Sequence, residues 1–182
     1  MKKFSILFLI IFALAAATHA QVESVSMSSV TEIEEFESLY QYQSYFISRQ
    51  PNLQMLQWLK DEGVTAIINL RTEGENSDFS DYAFDEENNA TDLGFEYFSI
   101  PVYGMDGYTP ENLNILADIL KTRDDVLIHC GSAGRATNFF MAYLIKYRGY
   151  TVDEAIEVGK GLRFTLPLES LLDAGIHMEL VD

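Results

Sequence analysis

The only cysteine of the chain, Cys130, lies close to an arginine in the segment His129-Cys130-Gly131-Ser132-Ala133-Gly134-Arg135. An apolar run at 126–128 precedes this segment, and a helical pattern follows at 136–147. A thiol between a strand and a helix N-terminus lies among free backbone N–H groups, which bind anions and favour the thiolate. An arginine fork in the same loop can hold two oxygens of one phosphate. We therefore predict a cysteine nucleophile, Cys130, inside an anion-binding loop of residues 131–135.

Several further short sequence stretches occur along residues 46–165. Their order along the chain is similar to that of a known family. They are Ile47-Ser48-Arg49-Gln50-Pro51, Ile67-Ile68-Asn69-Leu70-Arg71, Ile100-Pro101-Val102, Tyr108-Thr109-Pro110-Glu111, and Gly149-Tyr150-Thr151 before Glu154-Ala155. Together with the Cys-x4-Arg loop, they make the chain resemble the bacterial dual-specificity and tyrosine-phosphatase-like family, related to the beta-lactamase-hydrolase-like phosphatase domain. The resemblance implies a phosphoric monoester hydrolase that forms a cysteinyl-phosphate intermediate and needs no metal or other cofactor.

The resemblance also implies roles for residues outside the nucleophile. Asp106 lies on a glycine-bounded loop after a strand, where the related phosphatases keep their general acid. An aspartate before a glycine is equally a common turn residue, so that alternative stays open. We expect His129 to support the loop by hydrogen bonding, and Thr137 to hydrogen-bond the sulfur or cap the helix.

Three departures from the family pattern keep other functions open. Four residues separate Cys130 from Arg135, where most tyrosine phosphatases have five; four is usual in rhodanese-type sulfurtransferases and also frequent in the bacterial phosphatase-like family. Ala133 stands where the family has glycine, and Ala136 where it has a hydroxyl residue. The alternatives are therefore a rhodanese-like sulfurtransferase and a non-catalytic module that binds phosphate or a phosphoprotein.

The first 20 residues have the pattern of a secretory signal peptide. Lys2 and Lys3 precede an apolar run at 4–17, and Thr18-His19-Ala20 forms the small-residue cleavage region. The apolar run is too short to span a bilayer comfortably. We expect cleavage near Ala20 and export to the periplasm or the medium, without stable membrane insertion.

The charge of the chain limits its partners. Twenty-eight acidic residues against 12 lysines and arginines give a formal net charge of −16. Such a surface repels nucleic acid and anionic lipid. The expected partner is a phosphorylated protein or small molecule, attracted by the loop itself. The sequence leaves the oligomeric state open, and its histidines and single cysteine are too scattered for a zinc site.

Strand and helix patterns alternate along the chain, which predicts a single α/β domain with a mostly parallel central sheet flanked by helices. We place a polar lead-in at 21–44, with a short helix after a Thr31–Glu34 capping box or a flexible segment there, and the domain at 45–182. Within the domain we predict strands at 64–70, 95–101 and 126–129, a polar loop at 72–80, and helices that begin near residues 53, 81, 110, 136, 152 and 168.

Overall fold

The computed structural model describes residues 29–77, 85–164 and 168–172. The strands are β1 (Thr31–Glu32), β2 (Leu39–Tyr42), β3 (Tyr45–Ser48), β4 (Ala66–Asn69), β5 (Glu96–Ser99) and β6 (Val126–His129). The helices are α1 (Leu53–Asp61), α2 (Glu73–Ser77), α3 (Glu86–Asp92), α4 (Pro110–Leu120), α5 (Gly134–Arg148) and α6 (Val152–Gly161). Turns of 3-10 helix span Gly104–Gly107 and Glu169–Leu172. No helix in these ranges is long and apolar enough to cross a membrane.

One six-stranded sheet organises the domain, in the order β1-β2-β3-β6-β4-β5. Strands β3, β6, β4 and β5 are parallel, and β1 and β2 add an antiparallel edge. The predicted fold class, a single α/β domain with a mostly parallel sheet between helices, is confirmed. Since β6 is central, the residues that follow it lie at the carboxyl edge of the parallel block, beside the ends of β3 and β4.

Successive side chains of the central strands enter two separate cores. In β4, Ile68 belongs to the cluster packed under α4, α5 and α6, whereas Ile67 belongs to the cluster under α1 and α3. In β6, Ile128 belongs to the first of these clusters and Leu127 to the second. A strand that is buried on both faces needs apolar residues at every position, and this explains the unbroken apolar runs in the sequence.

Short polar residues fix where the helices begin. The Thr109 side chain accepts a hydrogen bond from the Asn112 N–H, and Pro110 occupies the first position of α4. Thr151 and Glu154 form a reciprocal capping box at the start of α6. Both caps confirm the sequence predictions, because such side chains satisfy N–H groups that the helix leaves unpaired.

The segment predicted as a lead-in is partly built into the sheet. Residues 31–32 form β1 and residues 39–42 form β2, so the predicted helix after Thr31 is wrong and the sheet begins before residue 45. Leu39 and Tyr42 are fully buried, and the Tyr42 hydroxyl lies 3.2 Å from the Tyr150 hydroxyl. Strand pairing and burial therefore outweigh the local capping signal.

Two other regions differ from the predicted elements. Residues 73–77, within the predicted polar loop, form α2, because Thr72 and Glu75 cap each other across its first turn. The predicted helix at 81–93 is observed as α3, and its first residues, 81–84, lie outside the described residues. The last predicted helix is observed as a single 3-10 turn at 169–172; its remainder, like the signal-peptide segment, lies outside the described residues.

Candidate active site

The signature loop, residues 130–135, joins β6 to α5. Cys130 is 1% exposed and follows the last residue of β6 directly. The first hydrogen bond inside the following helix runs from the Thr137 N–H to the Ala133 carbonyl at 2.9 Å. The N–H groups before Thr137 at the start of α5 therefore have no intrahelical acceptor. The nucleophile predicted from the sequence thus lies beside a helix N-terminus, where an anion is stabilised.

Residues 48–50 hold the signature loop from the adjacent strand. The Cys130 N–H donates to the Ser48 carbonyl at 3.4 Å, and the Gln50 N–H donates to the Gly131 carbonyl at 3.5 Å. Arg49 and Ser132 form an isolated antiparallel bridge between these bonds. The loop is thus fixed by its backbone, while the Ser132 side chain stays exposed.

Ala133 adopts a backbone conformation that favours glycine. Its φ is +72°, in the left-handed region, and the residue is fully buried. A left-handed conformation costs an L-residue roughly 1–2 kcal/mol. The loop keeps the geometry that a glycine would give at this position, and it does so under local strain.

The Arg135 guanidinium connects three parts of the site. Its Nη1 donates to the Leu70 carbonyl at 3.2 Å and to the Val102 carbonyl at 3.1 Å. Nη1 and Nη2 also donate to the two carboxylate oxygens of Glu75, at 2.9 Å and 2.5 Å. Burial by itself lowers the pKa of Arg135, but hydrogen bonds and charges of Glu75 and Cys130 raise it above its ordinary value.

This arrangement divides the guanidinium into two edges. Glu75 occupies the fork formed by Nη1 and Nη2. Arginine has five N–H donors in one plane, so Nε–H and the second hydrogen of Nη2 form another edge. That second edge, together with the loop amides, can donate hydrogen bonds to the oxygens of a phosphate.

Glu75 is a site residue that the sequence analysis missed. It lies on α2, and its carboxylate also accepts hydrogen bonds from the Thr72 N–H and hydroxyl. Burial alone would raise the pKa of Glu75, but the bonds from Arg135 and Thr72 lower it to about 2. The Thr-x-x-Glu spacing is a capping-box signal and could have located the helix, though not its contact with Arg135.

The loop that carries Asp106 borders the site through its ends. The loop begins after Val102, whose carbonyl accepts a hydrogen bond from Arg135. It turns tightly enough that a Cβ on Gly107 would lie 2.8 Å from the Val102 Cα. Asp106 is exposed, and its side chain forms no hydrogen bond or ion pair with another described residue. Its role as general acid remains a prediction.

Tyr108, where this loop ends, is a second residue that the sequence analysis did not assign to the site. Its buried ring packs against Phe139, and its hydroxyl accepts a hydrogen bond from the Asn138 amide at 3.4 Å. Burial raises the pKa of Tyr108 above its ordinary value, and the hydrogen bond from Asn138 opposes this shift.

The two predicted supporting residues have different surroundings. His129 is fully buried and its Nε2 lies 2.6 Å from the Glu86 carboxylate, so it lies behind the loop in a polar contact. Thr137 is fully buried in the first turn of α5, and its hydroxyl has no hydrogen-bond partner among the described residues. A hydrogen bond from Thr137 to the Cys130 sulfur is therefore not part of the described contacts.

Within the described residues, no group of three or more His, Cys, Asp or Glu side chains has the arrangement of a metal site. The positive charge that would stabilise an anion here comes from Arg135 and the helix N-terminus.

Comparison with known proteins identifies the family of this chain. Residues 15–162 match the model of the family described as DSP-PTPase phosphatase fused to NAD+ kinase. No curated protein matches the chain.

Solved structures share the fold. A DUF442 candidate phosphatase from Shewanella putrefaciens CN-32 is 25% identical, with a TM-score of 0.54; the match covers 67% of this chain and 80% of that one. TpbA from P. aeruginosa is 18% identical, with a TM-score of 0.58, over 72% and 78% of the two chains. PTPMT1 in complex with PI(5)P is 21% identical, with a TM-score of 0.61, over 76% and 92%.

The Glu75–Arg135 pair makes stability depend on pH in one direction. Because the pKa of Glu75 in the folded protein is about 2, below its ordinary 4.5, the charged form stabilises the fold above pH 4.5. This contribution disappears as the pH falls from 4.5 towards 2. We expect Glu75→Gln to lose on the order of 1 kcal/mol at neutral pH, because the pair is partly exposed and screened by solvent.

Urea unfolding of wild type and Glu75→Gln between pH 7 and pH 2.5 measures this difference. The two curves should converge as the pH falls. Glu73→Gln, an exposed carboxylate on the same helix, is the matched control and should show no such convergence. A wild-type advantage that stays constant down to pH 2.5 would contradict the assignment.

Proposed function

Because the chain belongs to the DSP-PTPase phosphatase family whose model it matches, we propose that it hydrolyses a phosphate monoester through Cys130 and Arg135. The match confirms the family and the enzyme class expected from the sequence, a phosphoric monoester hydrolase of the tyrosine and dual-specificity type. The observation that best supports the proposal is the position of Cys130 beside the free N–H groups of α5, with Arg135 in the same loop.

In the proposed reaction, the Cys130 thiolate attacks phosphorus and the ester oxygen leaves with the electron pair of the broken P–O bond. Loop amides at 131–135 and the second edge of Arg135 hold the equatorial oxygens, so they stabilise the charge of the transition state. Asp106 gives a proton to the leaving oxygen. Water then attacks the cysteinyl phosphate and gives a proton back to the Asp106 carboxylate, the P–S bond breaks, and inorganic phosphate and the Cys130 thiolate are released.

Two observations bear on the substrate. TpbA has been solved in complex with pTyr, and PTPMT1 in complex with PI(5)P. The net charge of −16 opposes approach to a membrane rich in anionic lipid. We therefore propose a phosphorylated protein or small molecule as substrate.

A non-catalytic phosphate-binding module is the second candidate. Ala133 and Ala136 favour it, since they replace residues that the family uses in the loop. The four-residue spacer alone favours a sulfurtransferase, and the family match favours phosphoryl chemistry instead.

We further propose that the protein is exported, on the basis of the basic, apolar and small-residue pattern of the first 20 residues. Mass spectrometry of the protein from the native cell should give a mature N-terminus near Gln21 in the periplasm or medium. A full-length chain retained in the cytosol would contradict export.

Phosphate release from an aryl phosphate tests the proposed activity. Cys130→Ser should abolish turnover, because serine is a far weaker nucleophile, yet it should still bind orthovanadate. Arg135→Lys keeps one positive charge but loses the planar fork, so we expect kcat/KM to fall by about 100-fold or more.

The same assay separates the candidates. Wild type that binds orthovanadate and releases no phosphate from any tested monoester would establish the binding module. Thiocyanate formation from thiosulfate and cyanide would establish the sulfurtransferase. Turnover that survives Cys130→Ser would rule out Cys130 as nucleophile.

Leaving-group dependence tests Asp106. If this residue protonates the leaving oxygen, Asp106→Asn should slow the hydrolysis of an alkyl phosphate by roughly 10²–10⁴-fold. The hydrolysis of an activated aryl phosphate should slow much less, because its leaving group needs no proton. The basic limb of the rate–pH profile should also flatten. Equal losses on both substrates would instead show that Asp106 is a structural turn residue.

A further inference from the structure

A largely buried polar network lies next to the signature loop. We define it as the side chains of Gln50, Asn69, Asn76, Glu86, Tyr97 and His129. Its central member, Glu86, is 7% exposed and is a carboxylate inside the protein. Burying such a charge is unfavourable unless several donors compensate it.

Both oxygens of the Glu86 carboxylate have polar partners. One oxygen lies 2.6 Å from His129 Nε2 and accepts from the Tyr97 hydroxyl at 3.3 Å. The other accepts a hydrogen bond from the Gln50 side-chain amide. Burial by itself raises the pKa of Glu86, and its contacts with His129, Gln50 and Tyr97 lower it below its ordinary value.

Two of these partners, His129 and Gln50, contact the chain on either side of Cys130. His129 directly precedes Cys130, and the backbone N–H of Gln50 donates to the Gly131 carbonyl at 3.5 Å. One carboxylate therefore fixes the residue before Cys130 and the strand segment that binds the residue after it.

The third partner, Tyr97, extends the network towards Arg135. The Tyr97 hydroxyl accepts from the Asn69 side-chain amide at 2.8 Å, and that amide also donates to the Asn76 side chain at 3.0 Å. Asn76 lies on α2, next to Glu75, the carboxylate that holds the fork of Arg135. The network thus reaches the surroundings of both residues that the reaction needs.

We propose that Glu86 is a positioning residue, which holds Cys130 through His129 and Gln50 and keeps α2, and so Glu75, aligned with Arg135. This inference rests on the proposed function. A buried polar cluster of this kind adds little net stability compared with apolar side chains of similar volume. Its connection to both sides of the site supports a role in geometry, because small displacements of reacting groups reduce the rate strongly.

Glu86→Gln tests this role while it keeps the shape of the side chain. One carboxylate oxygen becomes an NH2 group, which must face a donor of the network. We expect kcat and kcat/KM for an aryl phosphate to fall together by about 10- to 100-fold, with KM changed less than about twofold, because a positioning defect acts on the transition state.

Glu87→Gln is the matched control, since Glu87 is an exposed neighbour on the same helix and loses the same charge. It should retain wild-type kcat. Tyr97→Phe removes one donor to Glu86 and is a milder variant, which should lower kcat in the same direction and by less. Melting temperatures of all variants are measured alongside.

Equal kcat values for Glu86→Gln and Glu87→Gln would overturn the proposal. So would a loss in Glu86→Gln that disappears when each protein is assayed at the same interval below its melting temperature, because Glu86 would then only stabilise the fold.

Orthovanadate binding to the same proteins separates this proposal from the proposed function. If wild type hydrolyses no monoester, the proposed function fails, and vanadate affinity alone decides the role of Glu86. An affinity about 10-fold weaker in Glu86→Gln than in Glu87→Gln would support positioning of the loop. Equal affinities would overturn it.

Discussion

The guanidinium of Arg135 is shared between the protein and the site where an anion would bind. Glu75 takes the fork of Nη1 and Nη2, and the carbonyls of Leu70 and Val102 accept from Nη1. Leu70 follows β4, Glu75 lies on α2, and Val102 stands at the start of the loop that carries Asp106. The ends of two neighbouring parallel strands are thereby fixed on one planar cation, and Cys130 is near enough to contribute to the raised pKa of Arg135. The geometry of the site therefore depends on this one side chain more than on any other described contact.

A strongly acidic protein must attract an anion by local means. The whole chain carries a net charge of −16, and Glu75 itself stands in the site. Directed N–H groups at the start of α5 and the second edge of Arg135 act over short distances, where they outweigh a diffuse surface field that salt screens. Glu75 is compatible with phosphate binding because its charge is already paired with the other edge of the guanidinium. The acidic surface then favours selectivity against polyanionic partners.

Local signals in the sequence were sufficient for much of the fold. The apolar run before Cys130 predicts β6, and the Thr109 and Thr151 caps predict the starts of α4 and α6. Each signal depends on residues that are close in the chain. The capping-box spacing at Thr31 fails because β2 buries Leu39 and Tyr42 against the sheet, and that contact is invisible locally. Glu75 and Glu86 were missed for the same reason, since Glu75 meets Arg135 across 60 positions of the chain.

The division of the guanidinium into a structural edge and an anion-binding edge is the central claim. A crystal structure of Cys130→Ser with inorganic phosphate tests it most directly. We predict that the phosphate lies on the amides of residues 131–135 and on Nε and Nη2 of Arg135, while Glu75 stays on the fork of Nη1 and Nη2. A phosphate that displaces Glu75 from that fork, or one that binds away from the signature loop, would contradict the account.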